Sequence, residues 1–322
     1  MIISRTPLRV SLFGGGTDFY EYFSIYGSHF FSFAINKYIY ISLHPLPESS
    51  DILLKYSKTE RVANASQIKH PVFREVFTDY NLKKLDISVS SDVPAKTGLG
   101  SSSAFTVGLI KVVRTHLNLI QDPLLLVKEA CKIEIERLGE PIGVQDQNAV
   151  AHGGAAKYEV LQTGKTIRNP LDEPTQFRET VLKHFILIRV PGNRVLKHIL
   201  SEQKNNIISG KALEYLHQLR QQGLDSIEIV KSGAKVIGEN IQVAWNLKKK
   251  LANQISNSYL DGVIQNYISD GFYGAKLLGA GQSGFILLIG PEKKINAIRQ
   301  NNSIQSLSFG VDEEGSKIIY SL

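Results

Sequence analysis

Ser91-Asp92-Val93-Pro94-Ala95-Lys96-Thr97-Gly98-Leu99-Gly100-Ser101-Ser102-Ser103-Ala104 decides how the rest of the chain reads, because it joins a strand to a helix through a turn of glycine and serine. Before it, Leu85, Ile87 and Val89 alternate with Asp86, Ser88 and Ser90, the period-two pattern of a half-buried strand. After it, Ala104 to Leu119 is apolar on most faces and free of proline, which predicts a buried helix. Gly98 and Gly100 permit tight backbone geometry. The serines sit where free N–H groups and the positive end of a helix would meet an anion. A serine-capped helix with no ligand fits the same residues. The turn is not a Walker A loop, since no Gly-Lys-Ser or Gly-Lys-Thr closes it.

Composition narrows the classes. The chain has 322 residues, 37 Lys and Arg against 30 Asp and Glu, a net charge of +7 and one cysteine. That length accommodates two domains with a substantial core. No apolar run approaches the roughly 20 residues of a spanning helix, so no membrane role is expected. The start of the chain passes directly into Arg5 and an alternating strand, unlike a secretory signal. A single Cys131 excludes an internal disulfide and fits a reducing cytoplasm. The basic residues are scattered, and the one dense run, Lys248-Lys249-Lys250, reads as a solvated helix face. No nucleic-acid partner is expected. Oligomeric state is not legible.

Further alternating strands are expected around Ile39, Ile41 and Leu43 and over Phe185 to Val190. A helix is expected from Pro123, capped by Asp122, to about Leu138. Helices should fill most of Val195 to Ser269.

Pro94 through Ser102 resemble the second motif of the GHMP small-molecule kinases, a family named for galactokinase, homoserine kinase, mevalonate kinase and phosphomevalonate kinase. Arg5-Thr6-Pro7-Leu8-Arg9-Val10-Ser11-Leu12-Phe13-Gly14-Gly15-Gly16-Thr17-Asp18 resembles the first motif, and Lys276-Leu277-Leu278-Gly279-Ala280-Gly281-Gln282-Ser283-Gly284-Phe285 the third. The Arg-Thr-Pro-Leu-Arg run, the triple glycine and Gly139-Glu140-Pro141-Ile142-Gly143-Val144-Gln145-Asp146-Gln147 are most similar to the D-glycero-D-manno-heptose 7-phosphate kinases. Gln282 and Ser283 replace a run of glycines usual in that group, and so could crowd the site. The third motif also satisfies G-x-G-x-x-G. A dinucleotide fingerprint needs a helix after it, whereas Phe285 to Ile289 reads as a strand.

The resemblance implies an α+β fold of two domains: a ribosomal protein S5 domain 2-like domain over 1–170 and a ferredoxin-like domain over 171–322, with the active site between them. It implies an ATP-dependent phosphotransferase acting on the anomeric hydroxyl of D-glycero-D-manno-heptose 7-phosphate, in nucleotide-activated heptose and surface glycan synthesis. A kinase for another sugar, such as fucose or a hexose phosphate, and a sugar-binding regulator without turnover remain open. The resemblance makes Asp146 the catalytic carboxylate, with Arg9 positioning and ionising it. ATP would be held by Pro94, Lys96, Gly98, Leu99, Gly100, Ser101, Ser102 and Ser103. Magnesium, which takes oxygen ligands, would be held by Ser102 and Glu134, with Glu136 on another helix face. Gly14, Gly15, Gly16, Thr17, Asp18 and Gly281 would meet the sugar, and its phosphate would want Arg5, Lys37, Lys96 or Arg194.

Overall fold

The computed structural model describes residues 1–48, 51–192 and 196–322. Among the described residues twelve strands run in chain order as β1 (Ile2–Phe13), β2 (Ser28–Pro45), β3 (Ile52–Lys55), β4 (Thr59–Val62), β5 (Leu85–Ser91), β6 (Ala155–Val160), β7 (Thr166–Pro170), β8 (Phe185–Val190), β9 (Gly274–Leu277), β10 (Gly284–Ile289), β11 (Ser306–Leu307) and β12 (Lys317–Ser321). The first sheet has the order β12-β1-β2-β5-β3-β4, with β6 and β7 added beside β2. Its long strand β2 serves two neighbours in turn: Ser28–Phe33 pairs with β6 and Ile39–Pro45 with β5. The β1–β2 register shifts between Pro7 and Leu8, where proline offers no N–H to the ladder.

The expected buried helix forms over Ser101–His116. Its Ala104, Val107, Ile110 and Val113 join Leu8, Val10 and Leu12 of β1 in one core, all fully shielded from water. Each such aliphatic side chain contributes about 1.5–3 kcal/mol relative to exposure. Ser4 Oγ donates to Gly108 O at 3.0 Å, tying the helix to β1. The helix from Pro123 also forms, with Asp122 accepting from Leu124 N. It ends as an α-helix at Cys131 and continues as a π-helix over Lys132–Arg137, a wider winding than the sequence pattern suggests.

The second sheet has the order β11-β8-β10-β9, antiparallel throughout, the ferredoxin-like arrangement. Both of its faces are covered. Ile186, Ile188, Ile286 and Leu288 pack among helices around Trp245, whereas Phe185, Leu187, Leu287 and Ile289 belong to the core of the first sheet. The alternation of strand side chains thus welds the two halves together. The last strand departs from a division at residue 170: β12 returns to pair with β1, and Asp312 N donates to Ala34 O. Among the described residues no helix is long and apolar enough to cross a membrane.

Candidate active site

Between the two sheets lies a cleft of about 1130 Å³. Arg9 projects into it from β1, and Asp146 stands in the first turn of the Gln145–His152 helix. Arg9 Nε and Nη2 donate to the two carboxylate oxygens of Asp146, both at 2.7 Å. Arg9 Nη1 donates to Gly98 O at 2.7 Å, and its backbone N–H to Leu99 O at 2.9 Å. The guanidinium is therefore clamped between the glycine turn and the carboxylate, and a bidentate pair of this kind sets direction as well as charge. Its side chain is 7% exposed, while Asp146 is 28% exposed and open to the cleft. Gly100, with φ of +73°, lets the chain pass so close that a side chain there would start 3.0 Å from Arg9 Cγ and 3.3 Å from Asp146 Oδ2.

The helix that follows the turn has no side-chain cap. Ser102 Oγ and Ser103 Oγ instead donate to Glu134, at 3.0 and 2.9 Å, and the same carboxylate accepts from Thr106 Oγ1 (3.0 Å) and Gln147 Nε2 (2.7 Å). Ser101, Ser102 and Ser103 all line the cleft, so the helix N-terminus faces it uncapped. The π-helical winding holds Glu134 inward while Glu136 is exposed. Burial raises the pKa of Glu134 above the ordinary carboxylate value, and its four hydrogen bonds oppose that shift.

Asp18 lies deep at the other end. Its carboxylate accepts from Gly16 N (3.0 Å) and Gln145 N (3.2 Å), so it anchors the N-terminus of the helix that bears Asp146. Burial first and the charge of Asp146 second raise its pKa, against the pull of those two N–H groups. Gln145 exchanges hydrogen bonds with Ser11 beside it.

Not every expected residue reaches the cleft. Pro94, Lys96, Gly98, Gly100, Gly15, Gly16 and Asp18 line it. Leu99 turns into the core, Glu134 lies beneath the serines, and Gly14 and Thr17 stand behind the wall, where Thr17 Oγ1 donates to Gly14 O at 2.7 Å. Gly281 is also absent from the wall, which Gly279 and Ala280 form instead. A side chain on Gly281 would start 2.7 Å from Ile255 O, so close packing explains the residue. Gln282 and Ser283 do not crowd the cleft: Gln282 Nε2 donates to Gln254 Oε1 at 3.4 Å, and Ser283 is buried against Gly192. Arg5 is paired with Asp312 and Glu314 and stacked on Tyr38, away from the cleft, and Lys37 is half-buried and does not line it. Arg194 lies outside the described residues.

Pattern reading missed several lining residues. Lys248, expected on a solvated face, turns into the cleft and donates to Gly279 O. Lys276, quoted only as the start of the third motif, is buried in β9 and donates to Leu12 O (2.8 Å) and Ser11 O (3.4 Å). Burial, then the charges of Lys248 and Arg9, lower its pKa well below the ordinary lysine value. Ile39, Tyr56, His70, Val72, Val89 and Phe105 form an apolar end beyond Pro94. Alternation revealed the strands of Ile39 and Val89, not the space they share with residues of turns and helices.

These elements coincide with a known domain: residues 62–154, which hold the glycine turn, Glu134 and Asp146, match the GHMP kinases N terminal domain. Residues 62–154 are thus a GHMP kinase N-terminal domain. The kinase is 29% identical to a D-glycero-alpha-D-manno-heptose 7-phosphate kinase of Campylobacter jejuni, over 98% of each chain. It is 25% identical to a galactokinase of Pyrococcus furiosus, covering 92% of this chain and 91% of that one. A solved structure described as a D-glycero-D-manno-heptose 1-phosphate kinase from Bacteroides thetaiotaomicron superposes with a TM-score of 0.80, over 100% of both chains, at 25% identity. The kinase is thus an ATP-dependent phosphotransferase with a hydroxyl acceptor.

Proposed function

We propose that this kinase transfers the γ-phosphoryl group of ATP to the anomeric hydroxyl of D-glycero-D-manno-heptose 7-phosphate, giving the 1,7-bisphosphate. The observation that carries the reading is the Arg9–Asp146 pair, which presents a carboxylate to the cleft beside an uncapped helix N-terminus. The full-length likeness to the Campylobacter enzyme supplies the sugar. In the reaction, Asp146 takes the hydroxyl proton while the sugar oxygen forms a bond to the γ-phosphorus. The bond from that phosphorus to the β,γ-bridging oxygen breaks, and ADP leaves with the electron pair. The serine helix N-terminus and Lys96 hold the phosphates, and the apolar end with Tyr56, His70 and Phe105 takes the base. Asp18, Gly15 and Gly16 form the sugar end.

Ser102 and Glu134 suit a magnesium ion. They offer two oxygen donors 3.0 Å apart beside the phosphate turn, and no group of three or more His, Cys, Asp or Glu among the described residues makes a closed metal cage. A cation that keeps its waters and takes phosphate oxygens needs no more. When bound, it would neutralise charge on the β and γ phosphates. The product would feed nucleotide-activated heptose and surface glycan synthesis in the cytoplasm.

The test is ADP release with ATP and magnesium across heptose 7-phosphate, heptose 1-phosphate, unphosphorylated heptose, mannose, fucose and galactose, followed by phosphorus NMR of the product. Turnover confined to heptose 7-phosphate, with the new phosphate at C1, supports the reading. Preference for another acceptor sinks it.

A further inference from the structure

The cleft wall contributed by residues beyond 190 consists, among the described residues, of Leu200, Gln203, Lys248, Lys276, Gly279 and Ala280. It carries two lysines and no carboxylate. Facing it, Arg9 is neutralised by Asp146. Lys276 is held by the carbonyls of Ser11 and Leu12, which have no formal charge. Lys248, the last residue of the Ala234–Lys248 helix, is held by the Gly279 carbonyl, and it stands near enough to Lys276 for the two charges to act on one another. The Lys248 ammonium in a walled site attracts an anion, and a dianion there would favour the protonated form of Lys276, which burial otherwise disfavours. The strand end that Lys276 grips leads directly into the glycine turn where Gly15 and Gly16 line the sugar end. The nucleotide phosphates have a positive feature of their own, the uncapped Ser101–His116 helix with Lys96 before it.

We propose that Lys248 binds the phosphate monoester of a phosphorylated acceptor, and that Lys276 is the positioning residue beneath it. This rests on the sugar phosphate reading above. The same chemistry could come from the γ-phosphate of ATP, so the experiment has an arm for each source. Lys248 is half-buried at the rim, and melting temperatures establish that its variants fold.

Binding of mannose 6-phosphate and of mannose is measured by calorimetry for the parent protein, Lys248→Gln and Lys248→Arg, alongside KM for ATP and for heptose 7-phosphate. A charge-assisted contact predicts that the parent prefers mannose 6-phosphate by about tenfold or more. Lys248→Gln should remove most of that preference, and Lys248→Arg should restore it in part. No preference in the parent, a preference untouched in Lys248→Gln, or a defect that falls on ATP rather than on the acceptor would overturn the proposal. A parent that shows the Lys248-dependent preference yet does not turn over heptose 7-phosphate keeps this subsite and overturns the choice of heptose.

Discussion

Arg9 and Asp146 are 137 positions apart in the chain and joined by two parallel hydrogen bonds of 2.7 Å. One comes from the middle of a strand and the other from the first turn of a helix, so the pair exists only when the sheet and that helix are docked. An arginine fork fixes both carboxylate oxygens in a plane, which a lysine point charge cannot do.

Asp146→Asn should lower turnover by about two to four powers of ten, the usual scale for losing a positioned proton acceptor, while ATP affinity stays within a few fold. The asparagine amide would also present N–H groups to Arg9, breaking one of the two bonds. Initial rates paired with a nucleotide titration check this. Full turnover with unchanged ATP binding would remove Asp146 from the role of base.

Ser102→Ala removes the hydroxyl that donates to Glu134 at 3.0 Å and leaves that carboxylate its other three donors. Stability should fall by only about 1 kcal/mol. The half-saturating magnesium concentration should rise about tenfold, in the range seen when support of a metal site is cut. An activity curve against magnesium that superposes on the parent's would place the ion elsewhere.

The pKa of Asp18 is raised in the folded protein, so the fold binds its proton more tightly than the unfolded chain does. The stability this supplies is complete below the ordinary value of 3.8 and is lost as pH rises through the raised one. Asp18→Asn, neutral at every pH, should therefore show a Tm that falls less steeply above about pH 4 than the parent's. Scanning calorimetry from pH 4 to 8 reads the difference in slope, and parallel profiles would contradict the assignment.

Gln282 sits at φ of +62°, a left-handed conformation that costs an L residue about 1–2 kcal/mol. Gln282→Gly relieves that strain, offset in part by the extra freedom of glycine in the unfolded chain. Thermal denaturation should show equal or greater stability, by up to about 1 kcal/mol. Because the side chain faces Gln254 and not the cleft, kcat/KM should stay within about threefold. A large gain in activity would mean that Gln282 obstructs the site after all.

The sequence by itself determined the elements and the order of the chemistry. Alternation at Leu85, Ile87 and Val89, the unbroken apolar run after Ala104 and the glycine turn between them set strand, helix and open N-terminus. Such patterns are local: a strand repeats every two residues, and an N-terminus is marked by what stands within a few positions of it. Only the tertiary structure decided which residues share the cleft. Lys248 reads as one lysine of an exposed run until the helix that ends with it docks against Gly279. Lys276 reads as strand until β9 is buried on both faces and its ammonium meets the end of β1. Gln282 and Ser283 read as obstruction until the turn rolls them against Gln254 and Gly192. The return of β12 to β1 has no local signature either. Direction of a side chain relative to a distant wall is set by packing between elements, and packing has no period along the chain.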